Sequence, residues 1–157
     1  MTLFEALIQA LSGYDVDFEI REHELAVVNR GNGNVLSVFE DESFSLDRKE
    51  RFVEYIVQFS TQHCHFDAEW MGELLESILE YIKEILDDQV LPLEFFLDGK
   101  PRFGGEFKAE DLDRLSVSYL ADEYGFIRAD LLSLDYEIHS WSGKYDTGRR
   151  RVADLKP

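Results

Sequence analysis

The 157-residue sequence is poor in basic side chains, in cysteine and in long apolar runs, and each shortage excludes a class of protein. Its 16 lysines and arginines stand against 33 acids, which gives a net charge of −17. Such a chain is poorly suited to bind nucleic acid or an anionic membrane directly, because both interactions depend on cationic side chains near phosphates. The single cysteine, Cys64, excludes an intramolecular disulfide and is typical of a reducing compartment. No apolar run approaches the roughly 18–20 residues of a membrane span, and residues 1–12 do not resemble a secretory signal. We therefore expect a cytoplasmic protein that binds no membrane.

The sequence also lacks a recognisable catalytic or phosphate-binding motif. No serine lies in a Gly-x-Ser-x-Gly context. Neither the Gly-Asn-Gly at residues 31–33 nor Gly104-Gly105 is followed by the Gly-Lys-Ser/Thr of a phosphate-binding loop. We therefore expect a binding protein without a cofactor, in preference to an enzyme.

The cluster His63-Cys64-His65 is the strongest metal candidate, and it also holds the residue types of a thiol nucleophile and its base. Structural zinc sites normally combine ligand pairs from two places in the chain, whereas only one cluster is present here and His23 and His139 are isolated. No cysteine-protease signature surrounds Cys64. We expect the cluster to lie in a loop between two helices and to bind no metal.

Local patterns in the first half predict a helix, three strands and two further helices. Thr2 and Glu5 have the spacing of a capping box, which predicts a helix over residues 2–12. Alternating apolar residues predict strands at 16–20, 25–30 and 35–39, with a hairpin turn at 31–34. A second helix is predicted from Asp47 and a third from Asp67 to Asp88. Their buried sides would consist of Phe52, Tyr55, Ile56 and Phe59 in the second, and Trp70, Met71, Leu74, Leu75, Ile78, Leu79, Ile82, Ile85 and Leu86 in the third.

The last third is predicted to contain mostly strands. These cover residues 93–97, 103–107, 115–120 and 134–141, with a bulge or bend at Gly104-Gly105 and a loop or short helix over 121–132. Residues 143–157 contain five bases and two acids, and we expect them to form a basic, flexible C-terminal tail.

These elements predict a single α+β domain over residues 1–157, because helices and strands do not alternate as they do in βαβ units. The apolar content of 45%, with 13% aromatic residues, is sufficient for a folded core. We expect a largely antiparallel sheet with an N-terminal helix and two central helices packed on one face.

The most distinctive feature is a row of acids in the third predicted helix. Its members are separated by steps of four, three, four, four and three residues, and such steps draw one stripe along an α-helix with a repeat of roughly 5.4 Å. Between residues 52 and 99 there are eleven acids and one base, Lys83. The stripe consists of Glu69, Glu73, Glu76, Glu80, Glu84 and Asp87, with Asp88 beside it.

Solvation explains part of this stripe, because an amphipathic helix exposes polar residues and glutamate is a good helix former. It does not explain the near absence of lysine, since mixed charges at i,i+4 stabilise a helix and like charges destabilise it. Asp87 and Asp88 are also placed at the helix C-terminus, where the macrodipole disfavours a negative charge by roughly 0.3–1 kcal/mol. These costs favour a binding role.

We therefore expect an acidic inhibitory protein that neutralises a basic partner, such as a toxin, a nuclease or another nucleic-acid-binding protein. The carboxylate row would act as a DNA mimic. Its repeat of roughly 5.4 Å is near the spacing of phosphates along one DNA strand, which is roughly 3.4 Å per nucleotide along the helix axis and longer along the backbone. Trp70, Trp141 and Tyr145 are candidate anchors. In size, acidity and its single cysteine, the chain is similar to bacterial immunity proteins and to phage-encoded inhibitors of bacterial defence, without a shared motif.

Two alternatives remain open. The first is a small enzyme or ligand-binding domain whose site forms only in the fold, from histidines and nearby carboxylates. The second is an adaptor subunit of a larger complex. A polar pocket with converging histidines would favour the enzyme.

Overall fold

A computed structural model of the chain describes residues 1–45, 49–67 and 70–157. The chain forms two compact units, Met1–Leu86 and Asp87–Pro157, and each contains an antiparallel sheet. The predicted α+β class with largely antiparallel pairing is thereby confirmed, while one domain over residues 1–157 stays a prediction. Within the described ranges, every helix falls short of the length and apolar content that a bilayer span requires.

The first unit is a five-stranded antiparallel meander with two helices. Its strands follow one another in space as they do in sequence. The helices contact each other, and α2 also contacts β4 and β5. Its elements are α1 (Leu3–Leu11), β1 (Val16–Arg21), β2 (Glu24–Asn29), β3 (Val35–Ser45), β4 (Glu50–Phe59), β5 (Gln62–Phe66) and α2 (Met71–Leu86).

Helix α1 begins where its capping box predicts. The Thr2 hydroxyl accepts a hydrogen bond from the backbone N–H of Glu5 at 3.2 Å, and the Glu5 carboxylate accepts one from the backbone N–H of Thr2 at 2.7 Å. Leu7 and Leu11 are fully buried, as expected for residues one turn apart on the packed face. Local hydrogen bonding and helical periodicity agree here, and the prediction is confirmed.

The first three strands and their hairpin turn are also confirmed. Gly33 has a φ of 77°, which only glycine adopts freely, and its N–H donates to the carbonyl of Asn29 at 2.8 Å. The turn closes the β2–β3 hairpin, in which Leu25 pairs with Val38 and Val27 with Leu36. All four of these paired side chains are fully buried.

The second predicted helix is wrong, because residues 50–59 form strand β4. Its predicted start, Asp47, lies outside the described residues. The apolar residues of this segment fit the helical period, but Tyr55, Val57 and Phe59 also alternate, and these are the ones that are buried. β-branched and aromatic side chains favour the extended form, and pairing with β3 and β5 satisfies the backbone of β4 on both edges. The long helix that follows the sheet is therefore α2 alone.

The second unit has the strand order β7-β6-β8-β9. One face of this sheet packs on a hydrophobic cluster that includes Leu93, Phe95 and Tyr136. Its elements are β6 (Val90–Leu97), β7 (Lys100–Lys108), a 3₁₀ helix (Ala109–Arg114), α3 (Val117–Tyr124), α4 (Arg128–Leu131), β8 (Asp135–Ile138), β9 (Arg150–Arg151) and a second 3₁₀ helix (Val152–Asp154).

The predicted strand at 115–120 is wrong, and α3 takes its place. The Ser116 hydroxyl accepts from the backbone N–H of Tyr119 at 3.0 Å, and Gly125 ends the helix with a φ of 66°. A serine cap and a left-handed glycine are standard helix boundaries, and Val117 and Leu120 share the buried face. The apolar alternation in this short segment was therefore a misleading signal.

The C-terminal segment that the sequence predicts as a flexible basic tail is folded into the second unit. Arg150 and Arg151 pair with β8, and Val152 is fully buried in the core. The carbonyl of Lys156 accepts from the backbone N–H of Val117 at 2.9 Å.

Strand β7 passes through Gly104-Gly105 without a break. The register shift of the β6–β7 hairpin lies nearer its turn, where Phe95 pairs with Phe103 and Phe96 with Pro101. Gly105 supports the ring of Tyr124, whose hydroxyl donates to the carbonyl of Glu106 at 2.7 Å. A Cβ atom at Gly105 would clash with Cε1 of this ring. The glycine is therefore required by packing.

We expect Gly105→Ala to lower the free energy of unfolding by about 1–3 kcal/mol, because the ring must move to admit a methyl group. Gly13→Ala is the matched control, since a Cβ there meets no atom within 4 Å and we expect a change within about 0.5 kcal/mol. Urea unfolding of both variants measures the difference. Equal stability of the two variants would contradict this account of Gly105.

Candidate binding surface on helix α2

The acid stripe lies on the solvent side of α2, opposite a buried apolar side. Glu73, Glu76 and Glu80 are exposed and Glu84 is partly buried. Steps of three and four residues keep these four glutamates on one side of the helix over about 16 Å. The buried side consists of Leu74, Ile78, Ile82, Ile85 and Leu86.

The four glutamates of α2 are not compensated by the rest of the described chain. Among the described residues, none of them has an ion pair or a hydrogen bond from a side chain. Five of the described arginines pair with other acids instead. These pairs are Arg21 with Glu19, Arg30 with Asp15 and Asp17, Arg51 with Glu42, Arg114 with Asp111, and Arg149 with Glu137.

The two ends of the predicted stripe differ from α2 itself. Glu69 lies outside the described residues. Asp87 and Asp88 follow the last helical residue, Leu86, and do not belong to the helix. Asp88 has a φ of 54°, and its Oδ1 accepts from the backbone N–H of Ser142 at 3.0 Å. Aspartate tolerates the left-handed conformation better than most residues, so Asp88 has a local structural role.

The predicted anchors have different environments. Trp70 is 72% exposed, and its carbonyl accepts the first hydrogen bond of α2, from Leu74, at 3.1 Å. Trp70 therefore precedes the helix and is not part of the buried side predicted for it, and Met71 in the first turn is likewise exposed. Trp141 is only 5% exposed, so it is corrected from a surface anchor to a core residue. Tyr145 is partly buried against the core of the second unit, with Nζ of Lys144 4.9 Å from its ring centroid.

The histidine–cysteine cluster lies on strand β5, so its prediction as a loop between helices is wrong. His63 and His65 share one face of the sheet, with ring centroids 5.2 Å apart, and Nδ1 of His65 is 2.8 Å from Oε1 of Glu54. Cys64 pairs with Val57 and points to the opposite face. The thiol and the imidazoles are therefore separated by the sheet and do not form a nucleophile–base pair.

A second cluster of titratable side chains was missed by sequence reasoning, and it lies on the sheet of the second unit. Glu94 on β6 and Glu137 on β8 are directly paired, and the N–H of His139 donates to the carbonyl of Pro92 at 3.0 Å. All three side chains are partly buried, and their ligand atoms lie within 4.8 Å of one another. They project from the face opposite the hydrophobic cluster, because Leu93, Phe95, Tyr136 and Ile138 alternate with them.

Arg149 completes this second cluster. Its Nε donates to Oε1 of Glu137 at 2.8 Å, while its guanidinium lies 3.3 Å from the ring centroid of Phe96. The other oxygen of Glu137 is 3.3 Å from Nε2 of His139. Burial raises the pKa of Glu94 and the charge of Glu137 adds to this, whereas His139 and Arg149 act in the opposite direction.

In the sequence, His139 is isolated from the other three histidines. The predicted strand at 134–141 already placed Glu137 and His139 on one face, because they are two residues apart. Glu94 is 43 positions before Glu137 in the sequence, and only the pairing of β6 with β8 brings them together.

The second unit also contains a cavity of about 420 Å³, which lies in the size range of small-molecule sites. Its lining includes the apolar side chains of Leu97, Phe103 and Phe126, with Arg102 and Asp130 as charged groups. None of the described residues that line it is a histidine.

No protein-family model, curated protein or solved structure matches this chain.

The structural role of Asp88 predicts that its conformation matters more than its charge. We expect Asp88→Ala to lower the free energy of unfolding by about 2 kcal/mol, because alanine is strained at positive φ and the hydrogen bond to Ser142 is lost. Asp88→Asn removes the same charge but keeps an acceptor and tolerates this φ, so its change should stay within about 0.5 kcal/mol. Thermal or urea unfolding compares them, and an equal loss in both variants would contradict the conformational explanation.

Proposed function

We propose that this chain is an acidic inhibitory binding protein, similar in kind to immunity proteins or to phage anti-defence proteins. It neutralises a cationic partner, such as a toxin, a nuclease or a nucleic-acid-binding protein, by presenting the carboxylates of α2. The observation that supports this proposal is the uncompensated row formed by Glu73, Glu76, Glu80 and Glu84 on a helix whose other side is buried in the core.

The ion pairs among the described residues do not include a carboxylate of α2. Each of the five arginines named above is paired with an acid outside α2, so none of them is available to pair with the α2 carboxylates and balance their field. An unbalanced field accelerates encounter with a partner of opposite charge and opposes encounter with nucleic acid. Repulsion along the row is relieved when lysines or arginines of a partner lie against it.

A rigid helix suits this role because its carboxylates are held at fixed intervals. Burial of Ile78 and Ile82, both fully inaccessible, fixes the rotation of α2 about its axis. The solvent side then presents a row that a groove evolved for phosphates can accept. Occupation of the groove by α2 would exclude the nucleic acid from it.

Charge alone supplies speed and specificity more than affinity, so the proposal also needs an apolar anchor. Trp70 fits this role, since it is 72% exposed and sits at the N-terminal end of the same helix. Tryptophan is among the residues that contribute most at protein interfaces. Trp141 does not fit it, because its side chain is buried.

The first test is capture of a basic protein from lysate of the source cells on the immobilised chain. The Debye length falls from about 10 Å to about 3 Å between 0.1 M and 1 M salt, so we expect retention at the lower concentration and release at the higher. The captured protein is then purified, and its nucleic-acid binding or cleavage is measured with and without this chain. Retention that does not change with salt would contradict an electrostatic interface.

A quadruple variant, Glu73→Gln with Glu76→Gln, Glu80→Gln and Glu84→Gln, tests the surface itself. We expect it to weaken inhibition by at least about tenfold, because the partner's cations lose their counterparts. A control with the same change in net charge carries Asp113→Asn, Asp122→Asn, Glu123→Gln and Asp130→Asn, all exposed and in the second unit. If the two quadruple variants inhibit equally well, the α2 row is only a solvated face.

Replacement of the proposed anchor gives an independent prediction. We expect Trp70→Ala to weaken binding by about 1–3 kcal/mol while the free energy of unfolding stays nearly unchanged, because the side chain is exposed. Isothermal titration with the captured partner measures the first quantity and urea unfolding the second. Unchanged affinity would show that Trp70 is not part of the interface. The carboxylate row would then still be tested separately by the quadruple glutamine variant.

A further inference from the structure

A cluster that plays no part in the proposed interface has the composition of a metal site. Within residues 1–45, 49–67 and 70–157, a single group of three acidic, histidine or cysteine side chains brings its ligand atoms within 4.8 Å of one another, and it consists of Glu94, Glu137 and His139. We propose that these three side chains bind a divalent transition-metal ion of the zinc type.

Strand pairing brings the three side chains together without a bound ion. Glu94 and Glu137 occupy directly opposed positions on β6 and β8. His139 directly follows β8, two residues after Glu137, and its backbone N–H is bonded to the carbonyl of Pro92 on β6. Both strands belong to the centre of the sheet, since β6 also pairs with β7 and β8 with β9. The three Cβ atoms are therefore fixed by the backbone hydrogen bonds of a four-stranded sheet.

The distances are close to those of a coordination shell. Zinc lies about 2.0–2.2 Å from carboxylate oxygen and imidazole nitrogen, so two tetrahedral ligands are about 3.4 Å apart. Nε2 of His139 and Oε2 of Glu137 are already 3.3 Å apart. No ligand atom is more than 4.8 Å from another, so side-chain rotation alone can bring the Glu94 carboxylate into place.

Arg149 supplies the hydrogen bond to a ligating carboxylate that metal sites commonly contain. Arg149 donates to Oε1 of Glu137 and leaves Oε2 free to face His139. Its guanidinium is stacked on Phe96, so the carboxylate is held in one orientation. Hydrogen bonds of this kind to a ligating carboxylate orient it towards the metal. Among the described residues, the Glu94 carboxylate has no hydrogen bond of its own that it would have to give up.

The ligand set indicates the class of ion. Calcium and magnesium prefer all-oxygen sites, whereas an imidazole nitrogen selects zinc and its neighbours in the transition series. Three protein ligands leave at least one position for water or for a group from a bound molecule. A thiolate is not part of the set, because the only cysteine is Cys64 on β5 of the first unit.

The test is a Zn²⁺ titration of the tag-free, chelator-treated chain in competition with a chromophoric chelator. We expect one ion per chain, and we expect His139→Asn and Glu94→Gln each to weaken binding by at least about tenfold. The control variant carries His63→Asn and His65→Asn, which removes the exposed histidine pair on β5 and should leave the affinity unchanged. A tenfold excess of Mg²⁺ should not displace the zinc.

Three outcomes would overturn the proposal: no stoichiometric zinc binding, loss of binding in the His63/His65 variant with retention in His139→Asn, or displacement by Mg²⁺. Circular dichroism and thermal unfolding show whether each variant folds. If Glu94→Gln fails to fold, histidine ring ¹⁵N resonances of the unmodified chain decide the matter. Zinc should then shift the ring signal of His139 and leave those of His63 and His65 in place, and the reverse pattern would exclude the site.

Discussion

Successive side chains of a β-strand point to opposite faces of its sheet, and this alternation is the constraint on which the described surfaces of both units depend. In the first unit it places Tyr55, Val57 and Phe59 of β4 in the core. It places His63 and His65 of β5 on the opposite face of the same sheet. In the second it places Leu93 and Phe95 in the core and Glu94 between them on the outer face. A shift of one residue in either register would exchange the two faces and remove both the core and the histidine and carboxylate clusters.

The distribution of charge follows from the same division into buried and solvent sides. Helix α2 buries one side, so its glutamates can only project outward. Five arginines form ion pairs with carboxylates, and all of these carboxylates belong to residues outside α2. The protein is thus acidic as a whole, and four of the described acids that form no ion pair lie in a row on one helix. Asp88 adds to the negative charge, but its backbone conformation and its hydrogen bond to Ser142 explain why an aspartate lies there.

Local signals identified some elements and misled for others. Thr2 and Glu5 are three residues apart and bond to each other, so no distant contact was needed to predict α1. Residues 50–59 fit both the helical and the strand period, and the decision came from pairing with β3 and β5, which the local sequence does not contain. For α3 the decisive local signals were the Ser116 cap and Gly125, and they outweighed three apolar residues at alternating spacing.

The candidate sites also differ in how much of each follows from the local sequence and how much from tertiary contacts. The sequence alone determined the acid row of α2 and the exposure of Glu73, Glu76 and Glu80, because an amphipathic helix turns its polar side to water. It also determined the net charge of −17. Only the tertiary structure decided that Trp141 is buried, that Trp70 is exposed, and that Asp88 belongs to a loop. It alone brought Glu94 to Glu137 and His139, because contacts between strands that are distant in sequence depend on sheet register, and register is fixed by the packing of the whole unit.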